Sequence, residues 1–152
     1  MSAKNNQSAP DGGPPPLADE LRLVVEQDTL LVAPVGDYSL AQAQKVHAEL
    51  ERMLKQHAKI YLLVDQSRSG HIKPETRRFV STWHRAHKLS GIALFGGSLL
   101  TRAAATLLIS VVSRFQSDAV PTMFTKTEGE ARKWLAAQRS HDSAGGTASS
   151  SP

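Results

Sequence analysis

The sequence predicts one α/β domain with a mixed, mostly parallel five-stranded sheet and four helices, in the order β-β-α-β-α-β-α-β-α. Three observations predict it. Short apolar runs of strand length alternate with segments whose apolar residues recur every three or four positions, a pattern that calls for a parallel sheet covered by helices. The chain has 152 residues, which favours one domain. The two ends are poor in large aliphatic side chains and rich in Pro, Gly and Ser. Such ends bury too little to offset their ordering entropy. We therefore expect a disordered tail over 1–19, a domain over 20–139 and a second disordered tail over 140–152.

The elements follow in order. Leu21 to Glu26 (LRLVVE) and Thr29 to Val35 (TLLVAPV) read as two strands. Gln27-Asp28 between them has the length of a tight hairpin turn, and Pro34 should end regular pairing. Gly36 to Ser39 reads as a loop. Ser39 with Gln42 has capping-box spacing, with Asp37 as a rival cap. Leu40, Ala43, Val46, Leu50, Met53 and Leu54 then recur with helical period. Ile60 to Val64 is a continuous apolar run, as expected of a central strand buried on both faces. Asp65 closes it at the rim of the sheet.

Gln66 to Lys73 reads as a loop. Pro74 suits the first position of a helix, with Glu75 in its first turn. Thr76, Phe79, Val80, Trp83 and Ala86 form its apolar stripe, and Arg78, Ser81, Arg85 and Lys88 its solvent stripe. His84 and His87 are expected on the polar flank. Gly91 to Gly96 (GIALFG) is the next buried strand. Ser98 should cap a third helix that runs to about Gln116 and is apolar on nearly every side. Val120 to Thr125 reads as a strand, with Pro121 marking either an edge strand or a strand start. Thr125 with Glu128, or Thr127 with Glu130, should cap the last helix, which ends near Arg139.

Composition excludes several function classes. With no cysteine, disulfides, thiolate nucleophiles and Cys-ligated metal sites are ruled out. This agrees with a cytoplasmic location. No stretch approaches twenty consecutive apolar residues, so an integral membrane protein is not expected. The net charge of +4 is ordinary for a soluble domain and weak support for a polyanion partner.

The individual candidates for chemistry are sparse. Gly96-Gly97-Ser98 lies where backbone amides can cradle an anion, but it lacks the spacing of a phosphate loop. Asp65 ends a central strand, where carboxylates of hydrolases and transferases often stand. No second carboxylate or lysine is at hand on the other strand ends, so a loop-bonding role competes. His84 and His87 are three apart on one helix, without the carboxylate that metal-binding helices carry. No Gly-x-Ser-x-Gly motif accompanies Ser67, Ser69 or Ser98. We therefore expect no enzyme, no catalytic, cofactor-binding or metal residues, and no cofactor.

Two surfaces stand out instead. Arg68, Arg77, Arg78, Arg85 and Lys88 form a basic patch suited to a protein partner. Without exposed aromatics it does not suit single-stranded nucleic acid. The third helix is too apolar to stay uncovered. We expect it to self-associate as a homodimer through Leu100, Ala104, Leu108, Val112 and Phe115. The alternative is that 99–115 contacts a lipid or small ligand. A small hydrolase or transferase centred on Asp65 is a further alternative.

The segments Leu62 to Arg78 (LLVDQSRSGHIKPETRR), Gly91 to Ala103 (GIALFGGSLLTRA) and Thr127 to Leu135 (TEGEARKWL) resemble the STAS family. This family includes the bacterial anti-sigma-factor antagonists and small STAS/SEC14-like proteins. The resemblance spans Leu21 to Ala137. It implies a STAS-like fold and a non-enzymatic, regulatory protein-binding module of the bacterial cytoplasm. In the antagonists a serine in an Asp-Ser-Ser-Gly-like loop is phosphorylated and binding is switched off. The nearest match is Arg68-Ser69-Gly70, which implies Ser69 as the acceptor and Ser67 as second choice. The preceding aspartate is missing, which points to loss of the switch in its usual form. The SEC14 side of the resemblance implies a lipid pocket, for which the chain is short.

Overall fold

The computed structural model describes residues 20–113 and 120–145. The elements are β1 (Leu21–Glu26), β2 (Thr29–Pro34), β3 (Gly36–Tyr38), α1 (Leu40–Leu54), β4 (Tyr61–Asp65), β5 (Ser69–Ile72), α2 (Pro74–Ala86), β6 (Gly91–Phe95), α3 (Leu99–Ser113), β7 (Thr122–Thr125) and α4 (Glu128–Gly145). Five strands form the main sheet in the order β1-β2-β4-β6-β7. Only the β1–β2 hairpin is antiparallel. The expected α/β class, with its mixed, mostly parallel five-stranded sheet and four helices, is the observed one.

The period-2 alternation of side chains assigns each strand residue to a face. Leu31, Tyr61, Leu63, Ala93 and Phe95 point one way, against Ala131 and Leu135 of α4. Leu30, Val32, Leu62, Ile92 and Leu94 point the other way, against Val46, Leu50 and Met53 of α1, Trp83 of α2 and Ala105 of α3. The register keeps the two sets apart, with Leu30 beside Leu62 and Leu62 beside Ile92, then Leu31 beside Leu63 and Leu63 beside Ala93. Each fully buried leucine contributes about 1.5–3 kcal/mol, so the two faces supply the main driving force.

The caps form as the sequence predicts. Gln42 N donates to Ser39 Oγ at 3.2 Å, and Ser39 N donates to Gln42 Oε1 at 3.3 Å. Ser98 Oγ accepts from Thr101 N at 3.2 Å. For α4 the Thr127–Glu130 pair forms, with Glu130 N donating to Thr127 Oγ1 at 3.3 Å and Lys126 N donating to Glu130 Oε2 at 3.1 Å.

Four readings need correction. The segments read as loops at Gly36–Ser39 and Gln66–Lys73 contain β3 and β5, which pair in parallel as a separate two-stranded ribbon. The ribbon is held by Gly36 N donating to Arg68 O and by His71 N donating to Asp37 Oδ1, both at 2.9 Å. Asp37 is thus committed to β5 and leaves the helix cap to Ser39. Gly70 is needed there, because a Cβ would stand 2.6 Å from Asp37 Oδ1. Ser81 and His84, placed on the solvent side and polar flank, are buried, because α2 packs against both α1 and α3. Finally, α4 continues past Arg139 to Gly145. Its last turns are tied to the sheet by Tyr61 Oη donating to Asp142 Oδ2 at 2.7 Å and Lys59 Nζ donating to Asp142 O at 2.8 Å.

Candidate functional site

The C-terminal ends of β4 and β6 meet at one rim. Gln66 N donates to Phe95 O at 2.8 Å, which extends the pairing one residue beyond β4. Asp65 Oδ1 accepts from both Ser67 N at 2.9 Å and Ser67 Oγ at 2.6 Å. The carboxylate proposed as the centre of a hydrolase or transferase is therefore a loop-bonding group. Gly96 turns the chain into α3 with φ +77, and a Cβ on it would lie 3.1 Å from Ser67 Cβ. A side chain there would be strained by the backbone and would press on the Ser67 turn. Ser98, the third member of that turn, is the cap of α3.

The two serines are in different surroundings. Ser67 is exposed at the rim. Ser69 is half-buried within β5 and lines a hollow between the sheet and the helices. The five basic residues also divide. Arg77, Arg78 and Arg85 line a groove between α2 and α3, with Pro74, Ser81, Thr82 and Leu107. Arg68 lies in the rim hollow with Asp65 and Ser67. Lys88 is exposed beyond the end of α2.

On α3, Leu100 is 72% exposed, and Leu99 and Leu107 are 85% and 66% exposed. The side chains of Ala104, Leu108 and Val112, and the whole of Phe115, lie outside the described residues. Of the expected contact set, Leu100 is the one member whose side chain is among the described residues, and it is exposed, as Leu99 and Leu107 are.

A feature that sequence reading missed lies under α1 and α2. His47 is 3% exposed and His84 6% exposed. The His47 ring meets Phe79, Trp83 and His84 edge-on at 5.3, 4.7 and 5.5 Å between centroids. Trp83 also stacks on His87 at 4.2 Å and donates Nε1–H to Glu51 Oε1 at 2.7 Å. Burial holds His47 below the ordinary histidine range. Burial, and then the neighbouring His47 and His87, push His84 down to about 3. Both rings are neutral at pH 7. The signal was present in the sequence, since His47 shares its helical face with Ala43, Val46 and Leu50. Beside these rings lies a cavity of about 130 Å³ between the sheet and the helices. Among the described residues no group of three His, Asp or Glu side chains is placed to hold a metal ion. No described helix is long and apolar enough to cross a membrane.

This fold is that of a STAS-type module, a class of non-enzymatic regulatory and protein-interaction domains. The family model described as SpoIIAA-like matches residues 29–136, and the chain belongs to that family. Solved structures share the fold, two of them over most of their length. One is the anti-sigma factor antagonist SpoIIAA in its unphosphorylated form, 18% identical, with a TM-score of 0.51 over 77% of this chain and 98% of that one. The other is an uncharacterized protein of the DUF3478 family from Shewanella loihica PV-4, also 18% identical, with a TM-score of 0.56 over 76% of this chain and 92% of that one. No curated protein matches the chain significantly.

Proposed function

We propose that this regulatory module engages its protein partner in the groove between α2 and α3. The observation that carries the reading is the pairing of Arg77, Arg78 and Arg85 with the exposed Leu107 along one groove. Cations beside an apolar side chain suit an acidic segment that carries an apolar anchor. Reversing charge with Arg77→Glu and Arg78→Glu should abolish partner recovery in cross-linked co-purification from the native host. Equal recovery by wild-type and reversed bait would sink the reading.

Exposure favours Ser67 over Ser69 as a phosphoryl acceptor, should the partner be a kinase. A phosphoryl group adds nearly two negative charges. On Ser67 it would end the hydrogen bond to Asp65 and set like charges against each other at the turn. Mass spectrometry of Ser67→Ala and Ser69→Ala variants after exposure to the recovered partner would assign the site. We further propose that the exposed leucines of α3 are shared with a second copy of the chain in the cytoplasm. Sedimentation should then show a concentration-dependent dimer that Leu100→Asp dissolves, and a monomer at all concentrations would refute it.

A further inference from the structure

The main sheet ends in two edges, β1 and β7, and they are finished differently. β7 is four residues long and follows Pro121. Short strands and prolines are common ways of keeping an edge from pairing with another chain. β1 has six residues, LRLVVE, which pair with β2 residue for residue, without a bulge, a proline or a glycine. Among the described residues no strand lies on its outer side. Val25 on it is 42% exposed.

The hairpin decides which backbone groups face outward. Val35 N donates to Glu20 O at 2.9 Å, so Glu20 turns its carbonyl toward β2. Backbone groups alternate sides along an antiparallel strand. Arg22, Val24 and Glu26 therefore bond to β2, and Leu21, Leu23 and Val25 turn their N–H and C=O groups to the open edge. Side chains alternate as well, between the two faces. Val24 packs on the α4 face, where Glu26 accepts from Arg132, and Arg22 shares that face. Leu21 and Leu23 lie against the other core, with Val25 on their side.

We propose that β1 pairs antiparallel with β1 of a second copy, about a two-fold axis at Val24. Leu23 then stands opposite Val25 of the second copy, and Val25 opposite its Leu23, so the outward backbone groups of both strands are matched. On the α4 face Arg22 of each copy stands opposite Glu26 of the other. Opposite charges directly across a strand pair stabilise it, and like charges oppose it. Sliding two residues one way sets Glu26 opposite Glu20 of the second copy, and two the other way sets it opposite Val24. A two-fold contact must be complementary to itself, and the Val24-centred register satisfies both charges of the strand. This surface is separate from the exposed leucines of α3, which packs on α2 and β5. A single strand edge is small beside the about 1,200–2,000 Å² of a standard interface, so pairing calls for roughly millimolar protein.

The test uses the full-length Leu100→Asp protein, so that its outcome does not depend on association through α3. Amide exchange at Leu23 and Val25 should slow as the protein is concentrated to about 1 mM, and Val24 should not change. A sample mixing labelled and unlabelled copies should show a contact between the two Val24 Hα atoms, which face each other in a non-hydrogen-bonded pair. Adding Arg22→Glu, or adding Glu26→Arg, should each weaken pairing about tenfold or more, because two attractive pairs become repulsive. Mixing these two variants restores opposite charges at both positions and should restore pairing. The exchange and Hα measurements stand even if a charge variant does not fold. Exchange at Leu23 and Val25 that is independent of concentration would overturn the proposal, whether fast, with the edge open, or slow, with the chain covering its own edge. Charge variants that pair as well alone as when mixed would overturn the register.

Discussion

The two faces of the main sheet are packed on different terms. On one face a single helix, α4, closes over Leu31, Tyr61, Leu63, Ala93 and Phe95. Polar clamps seal its edges. Arg132 donates to Glu26 at 2.6 and 3.0 Å, and Arg139 donates to Asp28 at 2.7 and 2.8 Å. Arg139 also lies 4.9 Å over the Tyr61 ring. On the other face three helices share the cover, and the result is a cavity and two buried histidines, with His47 Nε2 lacking a hydrogen-bond partner among the described residues. The first arrangement secures the fold. The second leaves room for recognition, in keeping with the way functional sites depart from ideal packing.

The sharpest way to break this comparison is to truncate neighbouring leucines of β4 that face opposite ways. Leu63→Ala, on the α4 face, should cost about 3–5 kcal/mol in urea denaturation. Leu62→Ala, beside the cavity, should cost about 2 kcal/mol, because it has fewer packed neighbours to lose. Equal losses would mean that the faces are packed alike.

Mild acid, above the range in which Glu26 and Asp28 of the α4 face take up protons, should act on the cavity face. The folded-state pKa of His84 lies near 3, below its ordinary value of about 6.5. The unfolded chain therefore binds the proton more readily, and stability falls as pH drops through the unfolded value toward the folded one. Above about pH 6.5 this contribution is fully present. At pH 5.5 about 1 kcal/mol should be gone, more if His47 titrates in the same window. Glu51 favours the charged form of His47, while His87 opposes it. Urea denaturation at pH 7.5 and 5.5 checks this. His84→Gln should flatten the difference, and an unchanged slope would count against it.

The clamps on the α4 face should matter less. Arg139→Ala loses a half-exposed ion pair and a cation–π contact, for about 1 kcal/mol. Arg132→Ala loses more exposed pairs and should cost about 0.5 kcal/mol, mostly removed by salt. A larger effect at Arg132 than at Arg139 would mean that the clamp at Glu26, and not burial near Tyr61, secures the helix.

Legibility differed from element to element for physical reasons. The caps at Ser39, Ser98 and Thr127 are local contacts over three residues, so a short window of sequence carries them. The β3–β5 ribbon joins Gly36 to Ser69, and strands of three and four residues have no period long enough to detect. Asp37 was read as a rival cap because its real partner, His71 N, lies far along the chain. His84 was placed on a polar flank because a helix read alone has one buried side, whereas α2 has neighbours on two.

Residue pattern alone carries the class of fold, the division of strand side chains into two faces and the starts of the helices. These depend on short-range periodicity and on hydrogen bonds within a few residues. The packing of the elements adds that the arginines of α2 share a groove with Leu107 and that His47 borders a cavity. Those outcomes depend on how separately formed elements meet, and no local pattern of residues encodes the gap left where three helices close over one sheet.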